Sequence, residues 1–228
     1  MAKVPVIIIS SATEKVGKTT LALNLAAALW SDDYNVYLLA PHNHIVQRFV
    51  EQRQLLCKQC EVNLPMPELI DDINKLENVS EKSVIIADIP TAKNLQYAEV
   101  FSHAHTLVSV ATKPTDLQWQ ATDPYLNLIW DTKKKLAARG VRYLNWIAVL
   151  NEVNSISDAE AALLEKTAKR LGFRVADTIH SRDAFRYIDN GYCAADMAKF
   201  RSLFKMSMSD VYARREILTL TDFLWQHA

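Results

Sequence analysis

Glycine is scarce in this sequence. Only four occur in 228 residues, where average usage of roughly 7% would give about 16. They are Gly17, Gly140, Gly172 and Gly191, so Gly17 stands alone in the first 139 positions. No internal repeat, low-complexity tract or linker composition is present. Cysteine is also sparse. Three is an odd number with no disulfide framework, which fits a reduced cytoplasm. Apolar runs such as Val4 to Ile9 fall far short of the roughly 20 residues of a membrane span. No secretory signal pattern is read at the start, so a cytoplasmic location is expected. Charge of one sign is not in excess. Lys plus Arg is 26 and Asp plus Glu is 26, which excludes a bulk polycationic nucleic-acid binder but not a local basic patch.

The composition that remains, 50% apolar and 23% charged, is that of a soluble globular chain. The length allows one domain or at most two small ones. We read residues 1–228 as a single domain with an irregular insertion at 54–80, the least periodic stretch, which carries Pro65 and Pro67.

Val4 to Ser10 is a continuous β-branched run and reads as a buried strand. A polar loop follows, then a helix from about Lys18 with Leu21, Leu25, Ala28 and Leu29 on one face. Further strands are expected at Asn35 to Ala40, Val84 to Ala87, Thr106 to Ala111, Leu144 to Leu150 and near Phe173 to Ala176. Helices are expected at Tyr125 to Arg139, Asp158 to Leu171 and Ser209 to His227; the last aligns Ala213, Ile217, Leu220 and Leu224. Apolar strands alternating with helices imply an α/β fold, a single doubly wound, mostly parallel sheet. Ligands of such sheets sit at strand carboxyl ends. The first loop, Asp88 and the Asn151 region should therefore converge.

A strand, a loop, Gly17-Lys18-Thr19 and a helix make a phosphate cradle, because backbone N–H groups and the helix N-terminus favour an anion. Lys18 would reach the β- and γ-phosphates, and Thr19 would place its hydroxyl on Mg²⁺. Asp88 ends an apolar strand, where an acidic group can hold Mg²⁺ or its water. A bare helix cap would explain Gly17 but not the Lys-Thr pair. The full phosphate-loop pattern is G-x-x-x-x-G-K-S/T, and its first glycine would fall on Ala12.

Val16-Gly17-Lys18-Thr19-Thr20, followed by Leu21, Asn24, Leu25 and Ala26, resembles the ParA and MinD ATPases. Their deviant loop reads K-G-G-x-G-K-S/T-S/T. On that register the signature lysine falls on Thr13 and the two glycines on Glu14 and Lys15. Later segments look like MipZ, the ParA-type ATPase that positions the division plane in alphaproteobacteria. They are Pro124 to Trp130, the basic run after it, Trp146 to Asn151, Leu171 to Arg174, and Arg182 to Tyr187 with Gly191. The similarity covers most of the chain outside 54–80.

The resemblance implies ATP or ADP with Mg²⁺ as ligands, held by residues 13–20 (Thr13, Glu14, Lys15, Val16, Gly17, Lys18, Thr19 and Thr20). Thr19 and Asp88 would serve the metal, and Asn151 falls where the family commonly contacts adenine. It also implies a nucleotide-dependent homodimer, a ParB-like or FtsZ-like protein partner, and nonspecific DNA binding by the dimer. Two departures bear on catalysis. Thr13 has no charge to reach a partner's phosphates, and the second strand, which in the family ends in a water-orienting aspartate, here reads Leu39-Ala40-Pro41-His42-Asn43. Phosphoryl transfer is mostly positioning and charge neutralisation, so slow or absent hydrolysis is expected. Glu14 also brings negative charge to the loop. Lys15 offsets it or substitutes for the missing lysine.

The alternatives are a non-hydrolysing binding or scaffold pseudo-ATPase and an ATP-dependent ligase of the dethiobiotin synthetase type, whose related loop also ends in V-G-K-T. Lys133, Lys134 and Lys135, with Arg139 and Arg142, are candidate DNA contacts or an ordinary solvated helix face. Cys57-Lys58-Gln59-Cys60 reads as two thiols on one helix face, with half of a shared iron–sulfur site as the other reading. His42 and His44 read as loop histidines, without a third metal ligand nearby. The terminal helix balances Arg214 and Arg215 with Glu216 and Asp222, which favours packing over a membrane anchor.

Overall fold

The computed structural model describes residues 4–41, 43–73, 80–91, 94–141, 143–200 and 205–225. His42 and Arg142 lie outside the described residues. Among the described residues, eight strands are interspersed with helices. They are β1 (Val6–Ser10), β2 (Asn35–Leu39), β3 (Glu68–Ile70), β4 (Ser83–Asp88), β5 (Thr106–Ala111), β6 (Asn145–Val153), β7 (Arg174–Val175) and β8 (Ile179–His180). The helices are α1 (Lys18–Ser31), α2 (His44–Cys60), α3 (Ala98–Phe101), α4 (Pro124–Ala138), α5 (Asp158–Leu171) and α6 (Met208–Trp225). Every described strand pair is parallel, in the order β3-β2-β4-β1-β5-β6-β7, with β8 also beside β6. The doubly wound α/β expectation therefore holds.

The central strands are buried on both faces because their side chains alternate into two cores. Ile7, Ile9, Val108, Val110, Ile147 and Val149 face α1 and α6. Ile8, Leu107, Ala148 and Leu150 face the other way, into the layer built with α4 and α5. The chain leaves β1 toward β2 and β3 on one side and later builds β5 to β7 on the other. That reversal places a crevice at the carboxyl ends of β1, β4 and β5.

Three elements differ from the sequence reading. α1 is buried all round, from Leu21 to Trp30, not along one stripe. Its alanines let α6 and the 3₁₀ segment Ala194–Phe200 pack closely against it. α2 runs through residues 54–60, and β3 pairs with β2, so a helix and an edge strand occupy part of the stretch read as irregular. Asn43 starts α2 by accepting from the N–H groups of Ile45 and Val46, an N-cap the sequence carried in plain view. α6 buries Ala213, Ile217, Leu220 and Leu224 as expected. Among the described residues, no helix is long and apolar enough to cross a membrane.

α2 is fastened to the segment 183–200 by a buried ion pair. Arg53 is fully buried and donates to Asp196 at 2.7 and 3.0 Å, to the Gly191 carbonyl at 3.1 Å and to the Pro65 carbonyl at 2.8 Å. Its guanidinium also lies 5.0 Å from the Trp30 ring centroid. Gly191, at φ +81°, passes so close to the Gln52 and Arg53 backbone that a Cβ would collide with it.

Candidate functional site

Parallel register sets the site. β1 and β4 pair Ile9 with Asp88, so Asp88 lies level with the start of the loop that leaves β1. That loop turns through Lys15 at φ 58° and Gly17 at φ 78°, then enters α1. Gly17 is required twice over. Its backbone is left-handed, and an added Cβ would run into Asn151 Nδ2 and lie 3.0 Å from Glu152 Oε1. The β6–β8 register shifts between Asn151 and Val153, and Glu152 takes φ 60°. This bulge turns Asn151 beneath the loop, where its Nδ2 donates to the Val16 carbonyl at 2.9 Å.

The polar side chains form two hydrogen-bonded groups, coupled by the charges of Lys18 and Asp88. Thr19 Oγ1 donates to Asp88 Oδ2 at 2.6 Å. Asn43 Nδ2 reaches the same Asp88 Oδ2 at 2.8 Å and Thr19 Oγ1 at 2.9 Å. Lys18 Nζ donates to Thr91 Oγ1 at 2.7 Å, and that hydroxyl donates to the Thr13 carbonyl at 3.0 Å. Burial pulls the Lys18 ammonium below its usual pKa, against the opposing charges of Asp88 and Glu14. Burial raises Asp88 above the ordinary carboxylate value, against the Thr19 hydrogen bond, the Lys18 charge and the Asn43 hydrogen bond. A carboxylate and an ammonium held partly out of water are poised for groups that would complete their solvation.

The fold thus brings together Val16, Gly17, Lys18, Thr19, Asp88 and Asn151. Thr20 sits in the first turn of α1, its carbonyl accepting from Asn24 Nδ2 at 2.8 Å. Thr13, Glu14 and Lys15 are exposed on the outer side of the loop. Thr13 is tied down through its backbone, since its N–H donates to Ser11 Oγ at 3.0 Å. Ala40 packs partly against the core; the polar group at that end of β2 is Asn43. Asn43 and Thr91 are the members that sequence reasoning missed. The N-cap position of Asn43 was a usable signal, whereas the reach of Thr91 to Lys18 spans 73 residues and had none.

Of the basic run, Lys133 is drawn partly into the structure, while Lys134, Lys135 and Arg139 are exposed. Lys133 is half-buried, its Nζ 4.6 Å from the Trp146 ring centroid, and burial lowers its pKa. Arg139 donates to the Ser102 carbonyl at 3.0 Å, and Lys134 pairs with Asp131 at 3.2 Å. Lys135 lines the groove between α3 and α4. Cys57 and Cys60 are free thiols on α2, and no cluster of three or more metal-ligating side chains occurs among the described residues.

A strand–loop–helix with Gly-Lys-Thr, closed against an aspartate on the neighbouring parallel strand, defines a P-loop nucleotide-binding fold of the ParA/MinD type. Solved structures agree on the fold. A chain of the MinC:MinD cell division protein complex of Aquifex aeolicus superposes with a TM-score of 0.59 at 17% identity, over 98% of this chain and 96% of that one. A plasmid partition protein from Borrelia burgdorferi bound to AMPPNP gives 0.55 at 16% identity, over 97% and 100%. The septum site-determining protein MinD of Pyrococcus horikoshii, complexed with Mg-ADP, gives 0.55 at 14%, over 98% and 96%. No curated protein matches the sequence. The family model described as ATPase MipZ matches residues 105–225, more than half the chain. The chain belongs to the MipZ family of ParA/MinD-type ATPases.

Proposed function

We propose that the chain binds Mg²⁺-ATP and Mg²⁺-ADP at the loop 13–20 and acts as a nucleotide-switched homodimer in division placement or chromosome segregation in the cytoplasm. The observation that carries this reading is the Lys18–Thr91 and Thr19–Asp88–Asn43 cluster, which supplies a cation and two metal-competent oxygens beside a backbone cradle. The residues fit the ligand: Gly17 leaves the backbone bare, and the α1 N-terminus favours an anion. Magnesium, when bound with ATP, neutralises charge on the β- and γ-phosphates.

Lys18 would exchange Thr91 for phosphate oxygens, relieving its desolvation. Thr19 Oγ1 would turn from Asp88 to the metal, and Asp88 would hold the metal or its water. Asn151 orders the loop through Val16 and is proposed to face adenine. Hydrolysis is proposed to be slow, because Thr13 offers no charge to a partner's phosphates and the end of β2, near Ala40, carries no carboxylate to orient water. A ParB-like or FtsZ-like protein and nonspecific DNA are the proposed partners. Lys134 and Lys135 are better placed for DNA than Lys133 or Arg139, whose side chains are engaged.

The second reading is a scaffold that binds nucleotide without turning it over. The fixed backbone of Thr13 and the amide of Asn43 favour it. Calorimetry of Mg²⁺-ATP binding to wild type and Lys18→Ala, with sedimentation of the same samples, tests the proposal. Binding by wild type, lost at least tenfold in Lys18→Ala, with dimer formed only with ATP, is the expected result. No binding at millimolar nucleotide would overturn both readings. Binding with no measurable phosphate release would leave the scaffold.

A further inference from the structure

The bulge at the end of β6 delivers two consecutive side chains to one place. An added Cβ on Gly17 would collide with Asn151 Nδ2 and lie 3.0 Å from Glu152 Oε1, so both side chains reach the phosphate loop. In a regular strand neighbouring side chains point to opposite faces, and only one of the two could do so. Here the β6–β8 register shifts between Asn151 and Val153, and Glu152 takes φ 60°, a left-handed backbone disfavoured for a residue with a Cβ. Bulges re-aim side chains, and strain of this kind gathers at ligand sites.

The two side chains differ in what they offer a ligand. Asn151 is 4% exposed, and its Nδ2 donates to the Val16 carbonyl at 2.9 Å. Glu152 is exposed, and its carboxylate makes no hydrogen bond or ion pair among the described residues. The bulge therefore presents outward a carboxylate, an acceptor only, beside Gly17. A carboxylate repels phosphate and suits the uncharged, donor-bearing half of a nucleotide. Sheet order decides which half arrives there. Lys18 and Thr19 reach toward the end of β4, to Thr91 and Asp88. Glu152 stands on β6, three strand steps away in the order β4-β1-β5-β6, or roughly 14 Å at about 4.8 Å per step. A nucleotide with its terminal phosphates at Lys18 and its chain crossing the loop at Gly17 sets its nucleoside at the β6 end.

Resting on the nucleotide reading above, we propose that Glu152 is the specificity-determining residue for the nucleoside half. Its carboxylate accepts a hydrogen bond from a neutral donor of the bound nucleotide, a ribose hydroxyl or the amino group of the base.

The test compares, by calorimetry, Mg²⁺-ATP with the triphosphates of 2′-deoxyadenosine, 3′-deoxyadenosine and purine riboside, which lacks the amino group of adenine. Wild type, Glu152→Gln and Glu152→Ala are titrated. Wild type is expected to bind at least one analogue about tenfold more weakly than ATP, the loss of a hydrogen bond to a charged group. A weakened deoxy sugar names the ribose as the donor, and weakened purine riboside names the base. In Glu152→Ala the discrimination is expected to fall to within about twofold, whereas Glu152→Gln, which keeps an acceptor oxygen, retains part of it. Glu152→Gly removes the carboxylate at a backbone that glycine adopts freely, and is expected to lose the same discrimination with the fold intact. A side chain that only shapes the bulge would change the affinity for all four ligands by one factor and leave their ratios as in wild type; that result overturns the proposal. So does equal binding of all four by wild type. In both cases ATP still binds, and the nucleotide reading stands. No binding of ATP by wild type at millimolar concentration overturns that reading and this proposal with it.

Discussion

Asn43 Nδ2 donates to Asp88 Oδ2 at 2.8 Å, although 45 residues separate them. The contact joins the segment that follows β2 to the end of β4 through an amide. Asn43→Asp would bring a second carboxylate within hydrogen-bond reach of Asp88 and keep the α2 cap. Two like charges so close cannot both ionise freely. The variant is expected to melt below wild type at neutral pH. The gap should narrow as pH falls and when millimolar Mg²⁺ is added. Scanning calorimetry across pH checks this, and a constant gap in all conditions would show that the two side chains do not couple.

Asp88 itself makes a pH prediction. Its pKa in the folded chain is raised by burial, so the folded state holds the proton more tightly than the unfolded one. The stability it contributes is fully present below the ordinary carboxylate value and is lost as pH rises through the raised one. The nucleotide-free protein should therefore gain stability from this group as pH falls through the weakly acidic range. Asp88→Asn should flatten that part of the curve and hold its melting temperature at pH 7, while Mg²⁺-nucleotide binding drops by an order of magnitude or more. A steeper acid dependence in the variant would count against the assignment.

Gly17 and Gly140 separate strain from collision. Both have positive φ, 78° and 81°, but a Cβ on Gly140 would meet nothing within 4 Å. Gly140→Ala is expected to cost about 1–2 kcal/mol, the left-handed penalty alone. Gly17→Ala should cost more, because Asn151 must also move, and should abolish nucleotide binding. Urea denaturation of both variants gives the comparison; equal losses would mean that Asn151 yields without penalty.

The Arg53–Asp196 pair lies wholly out of water. Asp196→Ala would leave the guanidinium unpaired and the Cys193 N–H, which donates to Asp196 at 2.9 Å, without an acceptor. A loss of about 3–5 kcal/mol is expected, or roughly 6–20 °C in melting temperature at about 2–4 °C per kcal/mol for a chain of this size. Arg53→Met combined with Asp196→Asn should lose about 1–3 kcal/mol less than the sum of the single changes. Strict additivity in thermal melts would refute a coupled pair.

The sequence alone determined the elements whose signal is local. β1, β5 and α5 were legible because a buried parallel strand is a continuous apolar run and an amphipathic helix repeats its apolar face. Gly17, Lys18 and Thr19 were legible because a phosphate loop concentrates its residues in one stretch, and Asp88 because it closes an apolar strand. The terminal face of Ala213, Ile217, Leu220 and Leu224 was legible for the same reason as α5.

Only the tertiary structure decided what depends on distant pairing. α2 hid its helical character because Arg53, a charge, sits at a core position that Asp196 makes tenable from 143 residues away. The all-round burial of α1 follows from which helices pack over its alanines. Lys133 and Arg139 read as free charge until Trp146 and Ser102 came beside them. Asn43 and Thr91 acquired their places when parallel register set the ends of β1, β2 and β4 side by side, since side-chain hydrogen bonds act over about 3 Å of space and are blind to separation along the chain.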